Sequence, residues 1–322
     1  MSALIPHYSA EQVHAALEYP VLIERLRQAF AQGASVPLRH AHKVNEHENA
    51  RLLLMPAWRE GEALGVKIVT AFPGNAARGA ATVAATYVLL DGSTGHPLAL
   101  IDGEALTLRR TAAASALASR YLSRPESGTL LVIGTGKLAP YMAAAHAAVR
   151  RFARVLVWGR AADKARALAK ALAAQGQNAI AVTDLQQALA QADVVTCATT
   201  AALPIVHGTD VRPGTHVDLV GGFTPTMREA DDELVAKSSV FVDTYMGALA
   251  EGGDVVEPIR AGLLARSDVR AELAELCRGD KAGRQSPTEI TLFKSVGTAL
   301  EDLAAAQMVR ERHASGSVSR FC

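Results

Sequence analysis

Between residues 129 and 243, short uninterrupted apolar runs alternate with longer stretches whose apolar residues recur every three or four positions. The runs fall at 130–133, 154–158, 179–182, 194–198, 216–220 and 240–243. Runs of this kind, without polar alternation, suit a parallel sheet covered on both faces. The intervening stretches predict helices, among them 163–174, closed by Gly176, and 185–190. The N-terminal third follows a different pattern. Ser9 and Gln12 form a capping box ahead of a short helix. Pro20 opens a second helix, with Leu22, Ile23, Leu26 and Phe30 at helical spacing and Gly33 at its end. Strand-like pieces then follow at 52–55, 65–72, 81–90 and 96–101, with Asp91-Gly92 and Thr94-Gly95 reading as a hairpin connection. Residues 106–122 predict a long helix.

After Asp243 the pattern predicts helices again. Ser286-Pro287-Thr288-Glu289 has the signs of a helix start, which predicts a helix from Ile290 through Leu303. The tail at 314–322 is short and polar, and is expected to be mobile. The fold class expected is α/β: a Rossmann-type doubly wound parallel sheet plus an α+β domain.

Composition narrows the function classes. The 322 residues are 49% hydrophobic and 20% charged, with a net charge of +1, so nothing favours a nucleic-acid or anionic-membrane partner. No apolar run reaches bilayer length, and the N-terminus lacks the basic and apolar regions of a signal peptide. Three scattered cysteines (Cys197, Cys277, Cys322) make no disulfide framework, and a cytoplasmic location is expected.

The chemistry begins at 128–148, GTLLVIGTGKLAPYMAAAHAA. Gly134, Gly136 and Ala139 have the GxGxxA spacing between a predicted strand and a predicted helix. The first glycine permits a tight turn, the second lets backbone approach a pyrophosphate, and the small third residue lets helix and strand pack. Gly134, Thr135, Gly136, Lys137 and Leu138 are therefore expected to bind a dinucleotide at the helix N-terminus. The next strand ends Val157-Trp158-Gly159-Arg160, with no carboxylate to hold both ribose hydroxyls. Arg160 suits a 2′-phosphate, so NADP is the cofactor expected and NAD the alternative.

The chain resembles the ornithine cyclodeaminase/mu-crystallin family over nearly its whole length. The resemblance rests on MPAW at 55–58, GVKIVTAFPGN at 65–75, the TG-PLAL hairpin at 94–100, LTLRRTAAASALASRYL at 106–122, GTGKLA at 134–139 and SPTEITLFKSVGTALEDLAAA at 286–306. It implies a substrate and dimerisation domain at 1–118, a dinucleotide-binding Rossmann domain at 119–295 and a C-terminal helix at 296–322 that returns to the first domain. It also implies a homodimer, an active site between the domains and a small amino or imino acid as substrate. Lys67 matches the family's active-site lysine and Arg110 its substrate-carboxylate arginine. Arg39 matches a second substrate arginine, Thr82 a cofactor contact, and Ser295 and Val296 the approach to the nicotinamide. These residue types suit the chemistry. A guanidinium holds a carboxylate with a planar fork, and a lysine of lowered pKa exchanges a proton with nitrogen. Lys67 inside an apolar strand also needs a partner or a task on its own account.

Where ornithine cyclodeaminases carry an aspartate after a Gly-Gly pair, this chain has Phe223 after Gly221-Gly222. A phenyl ring accepts no proton, which favours a ketimine reductase or amino-acid dehydrogenase over a cyclodeaminase unless Asp218, Asp231 or Asp232 substitutes. A non-catalytic nucleotide-binding protein ranks last. His40, His42 and His47, in a charged loop-like stretch without a cysteine or acidic cluster, predict no metal site. Cys197 is expected to be a buried small hydrophobe. Glu301 and Asp302 match the family pattern and fit capping or salt bridging as readily as catalysis.

Overall fold

The computed structural model describes residues 4–45 and 49–318, with side chains to 314, so His47 and the tail residues 319–322 lie outside the described residues. The chain divides into two compact units, 1–111 with 298–322, and 112–297.

In the first unit, β1 (His7–Tyr8) leads into α1 (Ala10–Ala16), which Ser9 and Gln12 cap reciprocally. Helix α2 (Tyr19–Gln32) has proline in its first turn and ends at Gly33, whose φ is +77°. Four antiparallel strands follow β2 (His40–Asn45): β3 (Ala50–Arg59), β4 (Ala63–Ala71), β5 (Val83–Asp91) and β6 (Pro97–Asp102). With β1 parallel to β6, the sheet order is β1-β6-β5-β4-β3-β2. The Asp91 carboxylate closes the β5–β6 turn by accepting the N–H groups of Ser93 and Thr94. Helix α3 (Gly103–Leu122) then carries the chain into the second unit. One face of the sheet is covered by α11 (Ala299–Val318), which packs on β3, β4, β5 and α2. The four residues read at helical spacing in α2 are all in this core.

The second unit is an eight-stranded, all-parallel sheet. Its strands are β7 (Thr129–Ile133), β8 (Arg154–Trp158), β9 (Ala179–Ala181), β10 (Val194–Cys197), β11 (His216–Leu219), β12 (Ser239–Val242), β13 (Ala271–Glu272) and β14 (Thr291–Lys294). The order is β13-β12-β14-β11-β10-β7-β8-β9, so the winding reverses at β7. Helices α4 (Ala139–Ala147), α5 (Ala162–Ala174), α6 (Leu185–Gln191), α7 (Asp232–Ala236), α8 (Tyr245–Glu251), α9 (Gly253–Arg260) and α10 (Leu273–Arg278) complete the unit. Successive strand residues feed two separate cores. Leu131, Ile133, Val195 and Val217 pack on one face, and Leu130, Val132, Val155 and Val194 on the other. This is why the runs are apolar throughout.

Three expectations change. His40 and His42 lie on β2, not in a loop. The helix expected from Ile290 is instead a turn, strand β14 in the middle of the sheet, a second turn, and α11 from Ala299. Glu289 does cap the turn, accepting the N–H groups of Gln285 and Ser286. The apolar segment after it is claimed by hydrogen bonding to both β11 and β12, and tertiary pairing overrides a local start signal. Finally, residues 314–318 of the tail continue α11.

Candidate functional site

On β4, Ala63, Gly65 and Lys67 face inward while Leu64, Val66 and Ile68 face outward, following the two-residue period of a strand. This alternation carries an ammonium into the core, where Lys67 is 2% exposed. Its Nζ donates to Asp302 Oδ1 at 3.0 Å and to Thr107 Oγ1 at 3.3 Å, and lies 2.8 Å from Asp302 Oδ2. Arg110, on α3, donates from Nε to Asp302 Oδ1 at 2.9 Å and from a terminal nitrogen to Glu301 Oε2 at 2.6 Å. Glu301 and Asp302 occupy the first turn of α11, where the helix dipole favours negative charge. Two cations and two carboxylates, all buried, are thus interlocked within the first unit.

Their electrostatics differ. Burial, and then the neighbouring Arg110 cation, bring the Lys67 ammonium down to about 8. Burial would raise the Asp302 carboxyl, but Arg110 and Lys67 outweigh it and hold it below the usual carboxylate range. Tyr87, directly opposite Lys67 across the β4–β5 ladder, is pushed well up by burial and by Asp302, so its hydroxyl stays protonated. The cluster therefore contains one group that exchanges a proton near neutral pH, Lys67, beside a permanent cation and a permanent anion.

The structure brings Lys67 and Arg110 together through Asp302. Arg39 is half-buried and precedes His40, whose ladder partner is Leu54. Met55, next to Leu54 on β3, pairs with Lys67, so Arg39 precedes a strand that lies two strands from β4. Thr82 is exposed, just before β5, and its carbonyl accepts the N–H of Phe72.

In the second unit, Gly134 follows β7 with φ +115°, and a Cβ there would lie 2.6 Å from the carbonyl oxygen of Ala198. Only glycine meets both conditions. Gly136 and Lys137 are exposed, a Cβ on Gly136 would meet nothing within 4 Å, and Leu138 is the N-cap residue of α4. Thr135 packs its methyl towards Gly159 at the end of β8. This tight turn opening onto unobstructed backbone at a helix start fits a dinucleotide's pyrophosphate. Ser295 and Val296 lie in the turn after β14, fixed by Asp243. One Asp243 carboxylate oxygen accepts the Ser295 hydroxyl at 3.2 Å and the N–H groups of Val296 and Gly297 at 2.8 and 2.7 Å.

Phe223 is half exposed beyond the Gly221-Gly222 pair. The acids that could have stood in for a missing aspartate are occupied. Asp218 is fully buried on β11, bonded to Thr196 and His146. Asp231 caps α7, and Asp232 pairs with Arg228.

Sequence reasoning missed a second buried charge cluster, formed by Lys294, Asp254 and Glu229. Lys294 Nζ is 2.9 Å from Asp254 Oδ2, and both side chains are fully buried. Asp254 Oδ1 accepts the N–H groups of Glu229 and Ala230 at 2.6 and 2.9 Å. Glu229 in turn accepts the N–H and hydroxyl of Thr199 at 2.7 and 2.8 Å and the N–H of Gly221 at 2.8 Å. Burial raises the Glu229 carboxyl, against the Lys294 cation, which lowers it. The signal was present: a lysine attached to an apolar run, at its end here and in its middle at Lys67, but the segment reads as helix. Cys197 is buried, and its thiol is raised by burial and then by Glu229. Among the described residues no group of histidine, cysteine, aspartate and glutamate is placed to hold a metal ion, and no helix is long and apolar enough to cross a membrane.

Comparison with known proteins supplies the context. The chain is 40% identical over 314 residues to a Δ1-pyrroline-2-carboxylate reductase of Colwellia psychrerythraea, covering 94% of this chain and 98% of that one. The Thermococcus litoralis Δ1-pyrroline-2-carboxylate reductase, solved with NADH and L-proline, superimposes with a TM-score of 0.92 at 36% identity, covering 97% and 98% of the two chains. An archaeal alanine dehydrogenase dimer with bound NAD superimposes with a TM-score of 0.90 at 29% identity, covering 97% of each chain. These complexes overturn the expectation of NADP, since the cofactor held in both is NADH or NAD. The physical reason lies at Arg160. It is exposed in the loop after β8, and a solvated guanidinium there does not by itself commit the site to a 2′-phosphate. The ornithine cyclodeaminase/mu-crystallin family profile matches residues 8–317, and the chain belongs to that family.

Proposed function

We propose that the chain reduces Δ1-pyrroline-2-carboxylate, or a cyclic imino acid of the same shape, to the corresponding amino acid with NADH. It is an NAD(H)-dependent oxidoreductase of its family acting on an imino or amino acid. The observation that carries the finer reading is Lys67, a buried ammonium brought down to about 8 and fixed beside Arg110 by Asp302. Reduction of a C=N bond consumes one hydride at the α-carbon and one proton at nitrogen. NADH, when bound, supplies the hydride. Lys67 supplies the proton from Nζ, with Asp302 holding the ammonium in place and Thr107 accepting one of its N–H bonds. Arg110 orients the substrate carboxylate through N–H groups not taken by Glu301 and Asp302, and Arg39 assists from two strands away. The cofactor is held by residues 134–138 and by the turn at Ser295 and Val296.

Ornithine cyclodeamination is the alternative, and it needs a group to manage the attacking side-chain amine. Phe223 offers none, and Asp218, Asp231 and Asp232 are engaged elsewhere. A dimer is supported by the outward face of the first unit's sheet. There Ile68 is 36% exposed on the same side of β4 as Leu64 and Val66, with Val88, the ladder partner of Val66, beside them, a patch that a second copy would cover. The test is one assay with two substrates. Purified protein should oxidise NADH with Δ1-pyrroline-2-carboxylate and form L-proline, but release no ammonia from ornithine. Ammonia and proline from ornithine, with no net change in the cofactor, would replace this reading by cyclodeamination.

A further inference from the structure

The cluster of Lys294, Asp254 and Glu229 lies at the carboxyl ends of the parallel strands, where doubly wound sheets bind ligands. Lys294 is the last residue of β14, Thr199 lies just beyond β10, and Gly221 just beyond β11. The Lys294 ammonium is fully buried against Asp254, and it is neither the proton donor nor the carboxylate anchor proposed above. An unpaired ammonium in such a place is costly and persists only if held by a partner with a structural task.

The task can be read from the contacts. Asp254 uses one oxygen for Lys294 and the other for two successive backbone N–H groups, at Glu229 and Ala230. That fixes where the Glu229 side chain starts, and Glu229 then grips the loops after β10 and β11 together. The fit is close. A Cβ on Gly221 would lie 1.9 Å from the Thr199 carbonyl oxygen, and one on Gly222 would lie 3.3 Å from Lys294 Nζ. Phe223 follows immediately.

We propose that Lys294 is a positioning residue for the nicotinamide half of the cofactor site, acting through Asp254 and Glu229 on the loops at Thr199 and at Gly221–Phe223. The proposal rests on the nucleotide-binding reading above. The adenosine half of a dinucleotide belongs to the β7-β8-β9 side of the sheet and the nicotinamide half to the β10-β11-β14 side, so the cluster touches only the second.

The experiment compares affinity for NADH with affinity for ADP-ribose, which lacks the nicotinamide. In Lys294→Met, ADP-ribose should bind as in the wild type, while NADH weakens by about tenfold, the scale of one or two lost loop hydrogen bonds. The turnover number should fall by on the order of 10²-fold as the reacting carbon is misplaced. Two double variants read the same ratio without leaving the Asp254 carboxylate unpaired, so the test stands even where Lys294→Met does not fold. Lys294→Met with Asp254→Asn keeps an oxygen for the Glu229 and Ala230 N–H groups and should recover NADH affinity. Lys294→Met with Asp254→Ala removes that acceptor and should not. Equal NADH to ADP-ribose ratios in the two double variants, or parallel loss of both ligands, would overturn the proposal. A wild-type chain that binds neither ligand would remove the nucleotide reading itself, which is a different and recognisable failure.

Discussion

Each unit buries a cluster of charged groups, and the two clusters treat their charges differently. In the first, side chains answer side chains: Lys67 and Arg110 share Asp302, and Arg110 also reaches Glu301. In the second, the carboxylates are taken up by the backbone. Asp254 and Glu229 together accept N–H groups from Glu229, Ala230, Thr199 and Gly221, and Asp243, whose N–H donates to the Lys294 carbonyl, accepts those of Val296 and Gly297. A carboxylate bound to main chain holds a loop in place, whereas one bound to an ammonium sets how readily that ammonium parts with its proton. By this contrast the proton chemistry proposed above belongs to the first cluster, and the positioning role proposed above to the second.

The contrast can be broken most severely at Arg110. Arg110→Met leaves Glu301 and Asp302 buried without their guanidinium, and should cost ~3–5 kcal/mol of folding stability and abolish turnover. Thermal unfolding and a steady-state assay check both. Next comes Lys67→Met, in which turnover should fall by roughly 10²–10⁴-fold, the usual contribution of a positioned acid, while NADH affinity measured by fluorescence titration holds. Loss of NADH affinity instead would show that the lysine supports the fold and not the proton transfer. In the second unit the sensitive element is backbone. Gly134→Ala must hold alanine at φ +115° against the Ala198 carbonyl, so NADH binding should weaken by about 1–3 kcal/mol in calorimetry, with little change at saturating cofactor. The smallest effect is expected at Arg160→Ala, with NADH affinity altered by no more than about twofold, as for other exposed residues. A larger loss there would mean that Arg160 takes part in holding the nucleotide.

Much of this was legible in the chain. Continuous apolar runs exposed the parallel sheet because burial on both faces demands them. Lys67 stood out because an ammonium inside VKIV requires an explanation. Lys294 carried the same signal but went unread, since Ser286 to Glu289 imitates a helix start while the sheet claims Thr291 to Lys294 as a strand. Short local signals yield to pairing between segments far apart in the chain, and β14 finds its partners at β11 and β12. The pairing of Arg110 with Glu301 and Asp302 was equally out of reach. It joins residues about 190 positions apart, and only the packing of α11 on the first unit's sheet reveals it. Arg160 misled for a related reason: residue type at a motif position says what could bind, and not whether the side chain is committed to it.

The most direct measurement is the pH dependence of the turnover number in both directions. If Lys67 carries the proton, reduction of Δ1-pyrroline-2-carboxylate by NADH should decline as pH rises through about 8, where the ammonium is lost. Oxidation of L-proline by NAD should show the opposite limb, rising through the same pH as the free amine becomes available to accept the proton. A turnover number that is flat across that range in both directions, or that moves the same way in both, would contradict the account.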